Sequence, residues 1–185
     1  MTTETLLPDP SLSLEQAFSA VAQRMQGLGF VNPALRVQAI GFEPWEGSWL
    51  GVMVTPWSIN LMLLPRDPAA WHPVRAGEKR RYEFPAGQYD FIGAVDSLVG
   101  EYRMCSLFSP ALEFEDHAAA ALVAKLARAA LFDSANAASD KAPVSGESTA
   151  EPLAGLEERA NAPMSKRDFL RGQFLRADEP NVSGR

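Results

Sequence analysis

Hydrophobic residues are most concentrated between Trp49 and Pro65, a run without a single charged side chain. Gly51, Pro56 and Asn60 interrupt a helical reading of this run, and Thr55-Pro56-Trp57-Ser58 puts proline where its fixed φ suits the second position of a turn. The pattern predicts two strands, Trp49 to Val54 and Ile59 to Leu64, joined by that turn. The second is apolar at nearly every residue, so it requires cover on both faces, one of them by a helix. A spanning helix is disfavoured, because about 17 residues is the lower limit for crossing a bilayer and a mid-run proline breaks it.

Two amphipathic helices flank this centre. Ser13-Leu14-Glu15-Gln16 fits a capping box. Leu14, Phe18, Val21, Met25 and Leu28 then recur on one stripe, read as core in preference to a binding groove, and Gly27 and Gly29 supply a stop. The second helix is expected from Glu115 or Asp116 to Phe132, an alanine-rich run carrying Leu122, Val123, Leu126 and Leu131. Alternation predicts further strands at Leu35 to Phe42, Tyr82 to Phe84, Tyr89 to Ile92 and Glu101 to Leu107. Lys79-Arg80-Arg81 would guard an edge strand, Pro44 to Gly47 and Pro85 to Gly87 would turn the chain, and Arg66 to Gly77 would be a long loop. The fold class expected is α+β: a mostly antiparallel sheet of five to six strands packed against an N-terminal and a C-terminal helix.

Residues 13–132 form the expected globular domain, after a flexible N-terminus at 1–12. From Asp133 to Ala162, alanine, serine, proline, glutamate and glycine dominate, a composition that cannot bury enough apolar surface to offset its ordering entropy. Residues 133–162 are read as a disordered acidic linker, and 163–185 as a basic tail. The net charge of −6 divides into −4 over residues 1–132, −4 over 133–162 and +2 over 163–185. An acidic body without a basic stripe argues against nucleic acid. One cysteine, Cys105, and two separated histidines, His72 and His117, give no disulfide and no metal-ligand spacing, so no cofactor is expected. The first ten residues have neither a basic n-region nor an apolar h-region, so the chain reads as cytoplasmic.

Candidate chemistry is sparse. No phosphate-cradling loop or nucleophile elbow is present. Cys105 reads as a small buried side chain or as a reactive thiol, with Arg103 on the same strand face. Trp49 reads as core, whereas Trp57 and Trp71 suit a core and an interface equally.

The ordered set Trp49-Leu50-Gly51-Val52, Thr55-Pro56-Trp57, Asn60-Leu61-Met62-Leu63-Leu64-Pro65, Phe84-Pro85-Ala86-Gly87, Gly100-Glu101-Tyr102 and Cys105-Ser106-Leu107-Phe108-Ser109-Pro110 resembles the HybE/HupJ-type accessory proteins of nickel-iron hydrogenase maturation. The resemblance implies a cytoplasmic chaperone, not an enzyme, that binds hydrogenase subunit precursors before assembly and export. The small-subunit precursor is the first candidate client and the large subunit a second, with other maturation proteins as further partners. Some members carry a rubredoxin-like piece, which needs cysteine pairs this chain lacks. Thr55, Pro56, Trp57, Cys105, Phe108 and Pro110 carry over as candidate contacts, beside Trp71 from the loop.

Ser165-Lys166-Arg167-Asp168-Phe169-Leu170-Arg171 resembles a twin-arginine export motif with lysine for the first arginine. No apolar stretch follows, so it reads either as a chance match in a basic tail or as a mimic of a signal that occupies this protein's own signal-binding surface or a partner's, and the second reading adds Lys166, Arg167, Phe169 and Leu170 to the partner-binding candidates. The alternative from another class is a small-molecule-binding protein or enzyme using a pocket near Cys105.

Overall fold

The chain forms helix α1 (Ser11–Met25), strands β1 (Gln38–Trp45), β2 (Ser48–Val54), β3 (Ile59–Pro65), β4 (Lys79–Phe84), β5 (Gly87–Asp96) and β6 (Gly100–Phe108), and helix α2 (His117–Ala130). A 3-10 helix, Ser134–Ser139, follows, within the stretch read as linker. This computed structural model describes residues 5–139. The strands form one antiparallel sheet in the order β1-β2-β3-β6-β5-β4, so the α+β expectation holds, with the hairpin at Thr55–Ser58 near its middle.

β3 is buried at every residue except Pro65, and its two faces belong to two cores. Ile59, Leu61 and Leu63 pack with Leu50, Val52, Phe91 and the inner face of α2. Met62 and Leu64 pack with Met53, Phe42 and Leu14 of α1. The sheet curls strongly towards α2. Five strand spacings would hold the edges of a flat sheet about 24 Å apart, yet Trp45 of edge strand β1 stacks on Phe84 of edge strand β4 with ring centroids 4.5 Å apart. The Ala86 N–H donates to the Leu131 carbonyl at 3.0 Å, tying the β4–β5 turn to the end of α2.

Local chemistry accounts for the departures from the sequence reading. β1 runs later than expected because the chain reverses at Glu46 and Gly47, both at positive φ (43° and 73°), which is the backbone of a primed hairpin turn. A bulge between Ile40 and Glu43, with Gly41 at φ 61°, sends Ile40 to one face and Phe42 to the other. The capping box does not form. α1 starts at Ser11, whose N–H donates to Asp9 Oδ1, while Glu15 accepts the Ala39 N–H at 2.9 Å. The segment before α1 is tied down too, since Leu7 donates to the Arg66 carbonyl and accepts from Trp49 Nε1. In α2 the buried stripe is Ala120, Val123, Ala124 and Ala127, whereas Leu122 and Leu126 face solvent. Small side chains let the helix lie close within the curled sheet. Asp116 caps it by accepting the Ala119 N–H at 2.8 Å.

Two polar residues hold the layers in register. Buried Asn32 donates its N–H to the Pro56 carbonyl and its side-chain amide to the carbonyls of Ala111 and Phe114. His117 accepts the Arg36 N–H at Nδ1, so Nε2 carries the proton and donates to Gln38 Oε1 at 2.6 Å. Burial first, then the Arg36 charge, holds the His117 pKa below its ordinary value, against a smaller opposing effect of Asp116.

Two stability predictions follow from these contacts. A Cβ on Gly51 would sit 2.5 Å from the Phe42 ring, so Gly51→Ala is expected to lower stability by about 1–3 kcal/mol in urea titration. Gly29→Ala, with open space at its Cβ, should stay within about 0.5 kcal/mol. Because His117 folds with a depressed pKa, its contribution is complete above the unfolded value of about 6.5 and is lost as pH falls through the folded value. The urea midpoint should therefore drop between pH 7.5 and pH 5, and His117→Gln should flatten that part of the profile.

Candidate functional site

α1 covers the β1–β3 side of its sheet face and leaves β6 and β5 open, so a groove runs between the helix and these strands. Its volume is about 460 Å³. Phe18, Val21 and Met25 follow one another at helical spacing and form one wall. Antiparallel pairing sets the floor: Asn60 opposite Ser106, and Ile92 opposite Met104, share the face that also carries Tyr102 and Asp96. The turn after β2 contributes Trp57 at one end. Its ring stacks on Phe18 at 6.4 Å, and Phe18 meets the edge of Tyr102 at 6.2 Å.

This corrects the reading of the α1 stripe as core. Only Leu14 and Ala17 on α1 are buried, while Phe18, Val21 and Met25 are half-buried in the groove and Leu28 is exposed. α1 leans on β1 and leaves Ile92 of β5 39% exposed. The periodicity identifies an apolar face without saying what covers it.

The turn that presents Trp57 is closed on itself. The Thr55 hydroxyl oxygen accepts the Ser58 N–H at 2.9 Å and lies 2.8 Å from the Ser58 carbonyl, to which it donates, and Asn60 Nδ2 donates to the Ser58 hydroxyl. Asp96 is the one charged side chain among the lining residues, and its carboxylate accepts the N–H groups of Leu98 and Val99 at the β5–β6 turn. Burial, with the nearby Asp96 charge, raises the Tyr102 pKa, so the phenol keeps its proton at neutral pH. The groove is thus an aromatic and aliphatic surface with a carboxylate at one place.

The residues singled out from sequence separate into three groups. Trp57 lines the groove, and exposed Pro110 follows Ser109, which borders it. Thr55, Pro56 and Phe108 are buried; Thr55 closes the turn, and Phe108 packs edge-on to Phe114 at 5.1 Å. Trp71 and Cys105 lie on the opposite sheet face. There Trp71 Nε1 donates to Glu101 Oε2 at 2.9 Å and its ring sits 4.3 Å from the Arg103 guanidinium, so the loop is pinned to β6. Arg103 also donates to the His72 carbonyl, leaving its charge committed to the loop. Cys105 is half-buried, packs against the core on the α2 side and does not line this groove. Lys166, Arg167, Phe169 and Leu170 lie outside the described residues. The sequence reading missed Tyr102, Met104, Ile92 and Asp96. Their alternation along β5 and β6 was visible, but the uncovered face was not.

Among the described residues, no helix is long and apolar enough to cross a membrane, and no cluster of three or more His, Cys, Asp or Glu side chains is placed to hold a metal ion.

Residues 9–172 match the family model described as NiFe-hydrogenase assembly, chaperone, HybE. The hydrogenase expression/formation protein HupJ of Bradyrhizobium diazoefficiens is 34% identical over 160 residues, covering 86% of this chain and 85% of that protein. The probable rubredoxin HupJ of Rhodobacter capsulatus is 37% identical over 115 residues, covering 62% of this chain but only 41% of that longer protein. The solution structure of HybE from Escherichia coli matches with a TM-score of 0.57 at 26% identity, covering 84% of this chain and 98% of that one.

If the α1 wall is a groove rather than core, truncation there is cheap. Val21→Ala should cost less than about 1 kcal/mol in urea titration, and Leu14→Ala about 2–5 kcal/mol. Equal losses would return Val21 to the core.

Proposed function

The chain belongs to the HybE family of nickel-iron hydrogenase assembly chaperones, and from that membership we propose that it binds the precursor of a hydrogenase small subunit in the cytoplasm. Binding would precede assembly and twin-arginine export and would hold back both until the subunit is ready. The observation that carries this reading is the half-open groove between α1 and strands β5 and β6. A twin-arginine signal joins basic residues to an apolar stretch. An apolar groove bearing one carboxylate complements both parts: Phe18, Val21, Met25, Ile92 and Met104 take apolar side chains, and Asp96 attracts a cation.

The mechanism is reversible cover, without a covalent step. Affinity comes from a few desolvated anchors, of which Trp57 is the largest, since aromatic residues at the centre of a contact carry most of its energy. The Thr55–Ser58 closure holds the Trp57 backbone before binding, so little ordering entropy is lost at that anchor. Release follows when the signal is withdrawn, because the groove makes no bond that needs chemistry to break.

The test is calorimetry of the full chain against the precursor and mature forms of the small subunit. The precursor is expected to bind and the mature form not, and Trp57→Ala should weaken precursor binding by about thirtyfold, equivalent to about 2 kcal/mol. Equal binding of both forms would make the protein an adaptor rather than a chaperone of immature subunits.

A further inference from the structure

The same chain carries a segment with the chemistry of a groove ligand. Residues 164–176, Met-Ser-Lys-Arg-Asp-Phe-Leu-Arg-Gly-Gln-Phe-Leu-Arg, combine Phe169, Leu170, Phe174 and Leu175 with four basic side chains and one acidic one. We infer that this tail segment occupies the groove between α1 and strands β5 and β6 in the protein without a client. The inference rests on the reading of the groove as a peptide-binding surface.

Three observations point to the tail. The groove wall and floor are apolar and half-open, with Ile92 39% exposed although it lies in the middle of a strand, so they gain by being covered. The charge is complementary, because Asp96 is the one charged lining residue and residues 164–176 carry a net charge of +3. Lys79, beside Ile92 on the neighbouring edge strand, limits the acidic part of the surface to the Asp96 end. The described chain also ends near β5, although α2 before it packs on the opposite face, so the tail has to pass round the sheet edge to reach the groove. The 3-10 helix Ser134–Ser139 lies against β5, which supplies Ile92 and Asp96.

The reach is sufficient. About 25 residues separate Ser139 from Met164. A coil of that length has a root-mean-square span of roughly 28 Å, against a diameter of roughly 37 Å for a domain of this size. Tethering then makes a weak ligand effective. At an effective concentration on the order of 1 mM, an intrinsic Kd on the order of 0.1 mM keeps the groove about nine-tenths filled and weakens a competing client about tenfold. The tail would thus set a threshold: only a longer or better-fitting apolar and basic segment displaces it.

The test compares the full chain with a variant carrying Phe169→Ala, Leu170→Ala and Phe174→Ala. Amide hydrogen exchange is read in peptides covering Phe18–Met25, Ile92–Asp96 and Tyr102–Ser106 at two protein concentrations, and affinity is measured for a synthetic small-subunit signal peptide. Exchange in these peptides should be several-fold slower in the natural chain, independent of concentration, and the variant should bind the signal peptide about tenfold more tightly. Equal exchange in the two proteins overturns the tail assignment, even where the signal peptide binds. Protection that disappears on dilution also overturns it, by making a second copy the occupant. An exchange difference without signal-peptide binding supports the tail assignment and overturns the client reading.

Discussion

β3 is buried on both faces, and this requirement organises the rest of the molecule. Its alternate residues feed two separate cores, and each large side chain removed from water contributes about 1.5–3 kcal/mol. Neither face can be left to solvent, so the sheet needs a helix on each side. α2 covers one face together with the 66–77 loop, and the sheet curls around the helix until Trp45 and Phe84 stack across the gap between the edges. α1, about 22 Å long, covers only the β1–β3 side of the other face. The groove is what remains when one short helix serves a six-stranded sheet.

The polar groups decide which side stays open. On the α2 side, Glu101 and Arg103 of β6 bind the 66–77 loop through Trp71, Val74 and His72, so that face is closed by hydrogen bonds and a cation–ring contact. On the α1 side, the loop after the helix is instead drawn to the end of the hairpin by Asn32, whose side chain and N–H reach the carbonyls of Pro56, Ala111 and Phe114. Trp57 is consequently held at the groove mouth by structure on both of its flanks.

Much of the fold was legible because its signals are local. The proline turn at Pro56, the uninterrupted apolar arm Ile59 to Leu64, the basic edge at Lys79 to Arg81 and the alanine-rich final helix all announce themselves within a few residues. What could not be read depends on partners distant in sequence. The alanine-rich run carrying Leu122, Val123, Leu126 and Leu131 predicts α2 but not which face it buries: the curled sheet takes His117, Ala120, Val123, Ala124 and Ala127 and leaves Leu122 and Leu126 to solvent. Phe18, Val21 and Met25 looked like core because periodicity reports an apolar face and not its cover. Of the proposed contacts, Trp57 sits in the groove, while Thr55, Pro56 and Phe108 serve the turn and the core. The family resemblance rested on an ordered set of motifs, and those motifs mark mainly the hairpin and the end of β6, the parts that build the groove's floor rather than its wall.

The central claim is that the α1 side of the sheet is the client surface. Chemical-shift mapping by NMR of the full chain during titration with the small-subunit precursor's signal peptide addresses it residue by residue. The account predicts that the largest changes fall on Phe18, Val21, Met25, Trp57, Ile92, Tyr102 and Met104, with the Trp71 and Cys105 face undisturbed. Changes confined to the exposed face of α2, around Leu122 and Leu126, with the groove residues unmoved, would contradict it.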